Sequence, residues 1–161
     1  MNTNNLPPIR FIYFHCDKTP RVVTAARQII KVNEDKTKGV VRVALSTNAV
    51  TRKKVHLGDK NPDSVLDTTH WNVLPYIGQK NGVKWYGDRF HKNTARAISS
   101  GRIKKNIDTI DIPVDLTKPV VRQICDYILD NHRDIPNITK PILYAIWSSC
   151  QMYSVPEKFR Y

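Results

Sequence analysis

Apolar positions recur along the chain with two periods, and the changes of period mark out elements. Residues 9–16, IRFIYFHC, are rich in β-branched and aromatic side chains and predict a strand. After DKTP, Val22, Ala26, Ile29 and Ile30 return at helical spacing, with Thr24, Gln28 and Lys31 on the other side and Arg27 beside them. That spacing predicts an amphipathic helix over residues 20–32, with Thr19 as N-cap and Pro20 in its first turn. NEDKTKG ends it, and VVRVALS (40–46) predicts a second strand, so the opening reads as strand–helix–strand. In NPDSVLD, Asn61 and Pro62 predict the start of a short helix. HWNVLPYIG (70–78) and GVKWYG (82–87) predict two further strands. GQKNG turns between them, because Asn-Gly favours a tight hairpin.

Residues 88–105, DRFHKNTARAISSGRIKK, predict a helix from Asp88 to Ser100, capped by Asp88 and stopped by Gly101. At about 100° per residue, Arg89, Lys92 and Arg96 share one face, and Phe90, Thr94, Ala97 and Ile98 the other. The first face is expected to meet solvent and the second the core. Arg102, Lys104 and Lys105 extend the charge just beyond this helix. Further along, DLTKPVVRQIC (115–125) aligns with NITKPILYAIW (137–147) at an offset of 22 residues. Thr117 and Thr139 are expected at or beside N-caps, with Pro119 and Pro141 in the first turns. Two repeats are too few for a solenoid, so a helical hairpin is expected. It would bury Val121, Ile124, Cys125 and Ile128 from one helix and Leu143, Ile146, Trp147 and Cys150 from the other.

These elements give an α+β fold class: a small mixed sheet with amphipathic helices in the first two-thirds, then a C-terminal helical hairpin. The expected organisation is a basic lobe, residues 1–106, and a neutral hairpin, residues 107–161.

Charge sharpens that division. The net charge is +12 and the isoelectric point about 9.8. Up to Lys105 there are 20 Lys and Arg against 7 Asp and Glu; from Asn106 onward there are 6 against 7. The front therefore carries +13 and the rest −1. Solubility does not require such asymmetry, and a polyanion partner for the front lobe is its simplest explanation. The expected phosphate contacts are Arg52, Lys53, Lys54 and Lys60, then Arg89, Lys92, Arg96, Arg102, Lys104 and Lys105. Asn93, Ser99 and Ser100 would add neutral hydrogen bonds to phosphate oxygens. Trp71, Tyr76, Trp85 and Tyr86 stand among basic residues as candidates for stacking on bases. The breadth of the basic surface favours duplex DNA over RNA. No helix offers a set of Asn, Gln and Arg side chains for base readout, so binding is expected to be largely independent of sequence.

Chemistry is less well served. The five histidines include no pair four residues apart and no HExxH. His15 and Cys16 are adjacent in a strand and so point to opposite faces. The three cysteines form no CxxC, which supports neither a disulfide framework nor a zinc site. Cys125 and Cys150 are expected as small hydrophobes in the core. Tyr76–Gly78 with Arg89 and His91 resembles the second half of the GIY-YIG nuclease pattern, but the upstream half is missing. The only glutamates are Glu34 and Glu157, so that family is not assigned. Asp59, Asp63 and Asp67, four apart, are the candidates for a catalytic metal.

The reading is thus an accessory nucleic-acid-binding protein that modifies transcription or organises a genome, with no cofactor and no membrane partner. Residues 116–152 are expected to serve packing, dimerisation or a protein partner. The alternatives are a metal-dependent nuclease or nucleotide-processing enzyme, and an inhibitor or adaptor that binds an acidic protein. The first ten residues lack a basic stretch followed by an apolar one, and a cytoplasmic location is expected.

Overall fold

The computed structural model describes residues 6–52 and 75–154. Strand β1, Arg10–His15, forms where the β-branched and aromatic residues predict it. Ile12 and Phe14 are buried on one face; Phe11 and Tyr13 are half-buried on the other. It leads by a turn into β2, Val22–Val32, and then into β3, Lys38–Thr47. A later strand, β7 (Thr109–Asp115), returns beside β3. The sheet order is β1-β2-β3-β7 and every pairing is antiparallel.

The second element is therefore a strand and not the expected helix. Six of its eleven residues are β-branched (Val22, Val23, Thr24, Ile29, Ile30 and Val32), which favours extended backbone. The helical spacing misleads because β2 is covered on both faces, so Val22 to Ala26 form one unbroken buried run. The supposed cap serves the turn: Thr19 Oγ1 accepts from the Arg21 N–H at 3.2 Å. Between β2 and β3, Asn33 Oδ1 accepts from the N–H groups of Thr37 and Lys38, both at 3.0 Å. Gly39 is required beyond that turn, because a Cβ there would lie 2.6 Å from the Lys31 carbonyl oxygen.

A second sheet has order β4-β6-β5, from Val50–Arg52 (β4), Tyr76–Lys80 (β5) and Val83–Gly87 (β6). β5 and β6 are joined as expected by Asn81-Gly82, both at positive φ (53° and 77°), the geometry of a tight hairpin. Asn48 ties the two sheets together. Its Oδ1 accepts from the Val22 N–H at 2.9 Å, and its Nδ2 donates to the carbonyls of Pro20 at 3.2 Å and Asp88 at 2.8 Å.

Helix α1 spans Lys92–Lys105. It starts later than expected because the Asp88 N–H donates to the Ala49 carbonyl at 2.7 Å and Asp88 is held at the sheet junction. It also ends later. Gly101 lies inside it, and Asn106, in the left-handed region at φ 53°, stops it. The Asn106 N–H returns to the Ile103 carbonyl and the Ile107 N–H to that of Arg102, the double bond of a Schellman end.

Helices α2 (Val120–Asn131) and α3 (Lys140–Ser154) form the expected hairpin, linked through a short 3-10 turn at His132–Asp134. They cover one face of the four-stranded sheet. Ile124, Cys125, Ile128, Ala145, Ile146 and Cys150 pack there on Phe14, Val23, Val41, Val43 and Ile112. Cys16, Cys125 and Cys150 are free and buried. Trp147 departs from expectation: it is 49% exposed, its ring 5.9 Å from that of Tyr144. The duplicated TKP does not give duplicated caps either. α3 starts immediately after Thr139, but Thr117 lies ahead of α2 and its hydroxyl donates to Asp115 Oδ1 at 2.6 Å. Gln123 holds α2 instead, donating to the Asp115 carbonyl at 2.8 Å while accepting from the Asp115 N–H at 2.7 Å. The fold is α+β with a C-terminal helical segment, and strands from both sides of residue 106 share its main sheet.

Two outcomes test these placements. Hydrogen bonds from Thr117, with a smaller contribution from Lys38, hold the Asp115 carboxyl down to about 2 from an ordinary 3.8. A depressed carboxyl stabilises the fold above its unfolded value, and that contribution fades as pH falls from 3.8 through about 2. Thr117→Ala should flatten the fall of Tm across this window, read by circular dichroism at stepped pH. A Cβ on Gly101 would meet nothing within 4 Å. Gly101→Ala should therefore stabilise the protein by about 0.5–1 kcal/mol, and a lower Tm would show that α1 is misplaced.

Candidate nucleic-acid interface

The face of the main sheet opposite α2 and α3 is lined by small side chains at its centre. Ala26 and Ala44 are buried there, with Thr24 and Ser46 beside them. Small residues let a helix approach closely, and α1 does so through Ile103 and Ser99, 4% and 0% exposed. Ser99 satisfies its own hydroxyl by donating to the Ala95 carbonyl at 2.7 Å, and Ser46 Oγ donates to the same carbonyl at 3.2 Å.

This docking departs from the sequence expectation at Arg96, Ala97 and Ile98, while Arg89 and Lys92 are exposed as expected. Ala97 and Ile98, assigned to the core, are exposed. Arg96, assigned to solvent, is half-buried over β1. Its guanidinium carbon is 5.1 Å from the Phe11 ring centre and 5.7 Å from that of Tyr13, and its Nε donates to the Tyr13 hydroxyl. Arg102 is also half-buried and donates to the Leu45 carbonyl, past the last β3–β7 pair, Ala44–Thr109. The reason is local: a flat guanidinium covers an aromatic face and keeps its donors satisfied, which neither Ala97 nor Ile98 can do. Ser99 is likewise enclosed and withdrawn from phosphate contact.

A row of rings and cations results along β1, the edge strand. Lys92 Nζ stands 5.3 Å from the Tyr13 ring centre. The Phe90 ring meets Tyr13 edge-on at 5.9 Å and His15 at 6.5 Å. None of Phe11, Tyr13, His15 or Phe90 was singled out from the sequence as a site residue. The signal was present in RFIYFH, whose two faces are both aromatic or apolar, a pattern that demands cover on both sides.

Beyond Phe90 lies a cavity of about 410 Å³. Tyr76, Ile77, Phe90, Ala95 and Ile98 give it apolar walls, and Asp88, Arg89, His91 and Thr94 stand among its polar lining. Of the remaining predicted residues, Arg89, Lys92, Lys104 and Lys105 are exposed. Arg52 ends β4 opposite Trp85. Lys53, Lys54, Lys60, Trp71 and the Asp59–Asp67 series lie outside the described residues. Trp85 is 6% exposed and closed to stacking, and Tyr86 is half-buried, its ring edge-on to Tyr76 at 5.5 Å. Among the described residues no three His, Cys, Asp or Glu side chains stand close enough to hold a metal ion, and no helix is long and apolar enough to cross a membrane. Comparison of the chain with family models, curated proteins and solved structures finds no match.

The packing role of Arg96 has a measurable consequence. Arg96→Ala should lower stability by about 1–2 kcal/mol, through loss of ring contact and an unpaired Tyr13 hydroxyl. Lys105→Ala should leave it within about 0.5 kcal/mol of wild type. Equal melting curves for the two variants would overturn the inward placement of Arg96.

Proposed function

We propose that this protein binds nucleic acid through phosphate contacts, largely independently of sequence, as an accessory factor. The observation that carries this reading is the pairing of charge. Among the described residues the ion pairs are Lys38–Asp115, Arg42–Asp111 and Arg122–Asp126. None involves residues 88–105. Arg89, Lys92, Lys104 and Lys105 are exposed there without a carboxylate partner among the described residues. Unpaired cations on one element are what counterion release needs. Arg52, Lys53, Lys54 and Lys60 belong to the same proposal on their charge alone.

Arg96 and Arg102 act first as packing groups, so α1 presents less charge outward than its sequence suggests. The preference for duplex DNA rests on the breadth of all the basic elements together, several of which lie outside the described residues; nucleic acid as a class is the proposal. The expected cytoplasmic location goes with it. Contact with a protein or a second copy through residues 116–152 would fall to the side of α3 that exposes Trp147, since the opposite side is spent on the sheet.

Fluorescence anisotropy with labelled strands and duplexes tests the reading. For about six phosphates contacted, affinity should fall roughly a thousandfold between about 50 and 200 mM salt. The combined variant Lys92→Glu, Lys104→Glu, Lys105→Glu should bind all sequences more weakly and reduce the salt slope. Binding that ignores salt, or none at low salt, would remove the proposal.

A further inference from the structure

The cavity beside Phe90 adds what surface charge cannot supply, a preference for one form of nucleic acid. Its volume of about 410 Å³ falls in the usual range for a small-molecule site, roughly 300–1,000 Å³, and suffices for one flat heterocycle. Two aromatic residues line it: Phe90, and Tyr76, which is 50% exposed. Tyr76 meets Tyr86 edge-on, so its ring faces are not stacked on that neighbour.

The polar groups of the lining fall into two sets. Asn48 and Ser46 are committed: the Asn48 amide serves Val22, Pro20 and Asp88, and the Ser46 hydroxyl donates to Ala95. Arg89 and His91 are exposed, and no hydrogen bond or ion pair ties their side chains to another described residue. The lining thus offers rings and aliphatic carbon, with a cation, an imidazole and the Thr94 hydroxyl, and one carboxylate, Asp88. Such a site suits a π-face next to an anionic backbone, and it selects little among bases because the inner polar groups are spent.

Phe90 joins this cavity to the row on β1. The same ring lines the cavity and stands 5.9 Å from Tyr13, over which Lys92 is placed. A paired, stacked base in a duplex cannot enter without being flipped out, at a cost of a few kcal/mol. A single strand has no such cost.

Resting on the nucleic-acid reading, we propose that the cavity lined by Tyr76 and Phe90 receives one unstacked base of a single strand whose backbone continues past Lys92 along the β1 face.

The test uses the full chain and fluorescence anisotropy at one low salt concentration. The probes are a labelled thymidine strand of about twelve nucleotides, its duplex with the complementary strand, and an abasic strand of equal length. The single strand should bind at least about tenfold more tightly than the duplex, and the abasic strand about as weakly as the duplex. Tyr76→Leu keeps the apolar bulk and removes the ring; it should weaken single-strand binding about tenfold and leave duplex binding unchanged. Tyr76→Phe should keep wild-type affinity, which guards against a folding artefact. A duplex bound as tightly as the strand, an abasic strand bound as tightly as thymidine, or full affinity in Tyr76→Leu would overturn the inference while salt-dependent binding kept the broader reading. Absence of binding to every probe would overturn both.

Discussion

Everything in this molecule depends on the burial of β2 and β3 on both faces. The two faces make different demands. On one, Val23, Val41, Val43 and Leu45 supply branched bulk against the C-terminal helices. On the other, Ala26 and Ala44 stay small so that Ile103 of α1 can reach the sheet. Enlarging either alanine would force α1 outward by more than a close-packed interface tolerates. The position of α1 in turn sets where Lys92 stands, where Phe90 meets Tyr13 and where the cavity opens. The interface is thus set at one remove by two methyl groups beneath it.

The legible parts of the sequence were those in which a single physical rule decides. IRFIYFHC is rich in β-branched and aromatic residues, VVRVALS is β-branched, and Asn81-Gly82 turns a hairpin; each appears in the structure as read. The C-terminal helices were legible because their apolar residues keep a helical period on one face only. Val22–Val32 was not, because double-sided burial erases the alternation that distinguishes a strand. Part of helix α1 was assigned to the wrong face for a related reason. Its docking surface is narrow, made of Ile103, Ser99 and the flat guanidinium of Arg96, while Ala97 and Ile98 stand outside. A rule that sends apolar residues inward and charged ones outward fails where the strand beneath offers aromatic rings to a cation.

The candidate site shows the same limit. Its cations were countable in the sequence, and their imbalance against acids was plain. Their division into packing and free groups was not, since Arg96 and Arg102 differ from Lys104 and Lys105 only in what lies beneath them. The aromatic row was missed for a simpler reason. Phe11 and Tyr13 sit some eighty residues from Lys92 and Arg96, and only the pairing of β1 with β2 under α1 brings them together.

The return of β7 to β3 bears on how this architecture can vary. The chain leaves the main sheet at Thr47 and rejoins it at Thr109, and Ala44 is paired with Thr109. The small sheet, the cavity wall and α1 therefore all belong to one excursion whose two ends are neighbours. Lengthening such an excursion adds little closure entropy, because that cost grows only with the logarithm of its length. The antiparallel scaffold and its helical backing could thus carry a different insertion between the same two anchors, provided a helix such as α1 still covers the face of Ala26 and Ala44, which leaves the cavity and the small sheet freer to vary than the β1 face they adjoin.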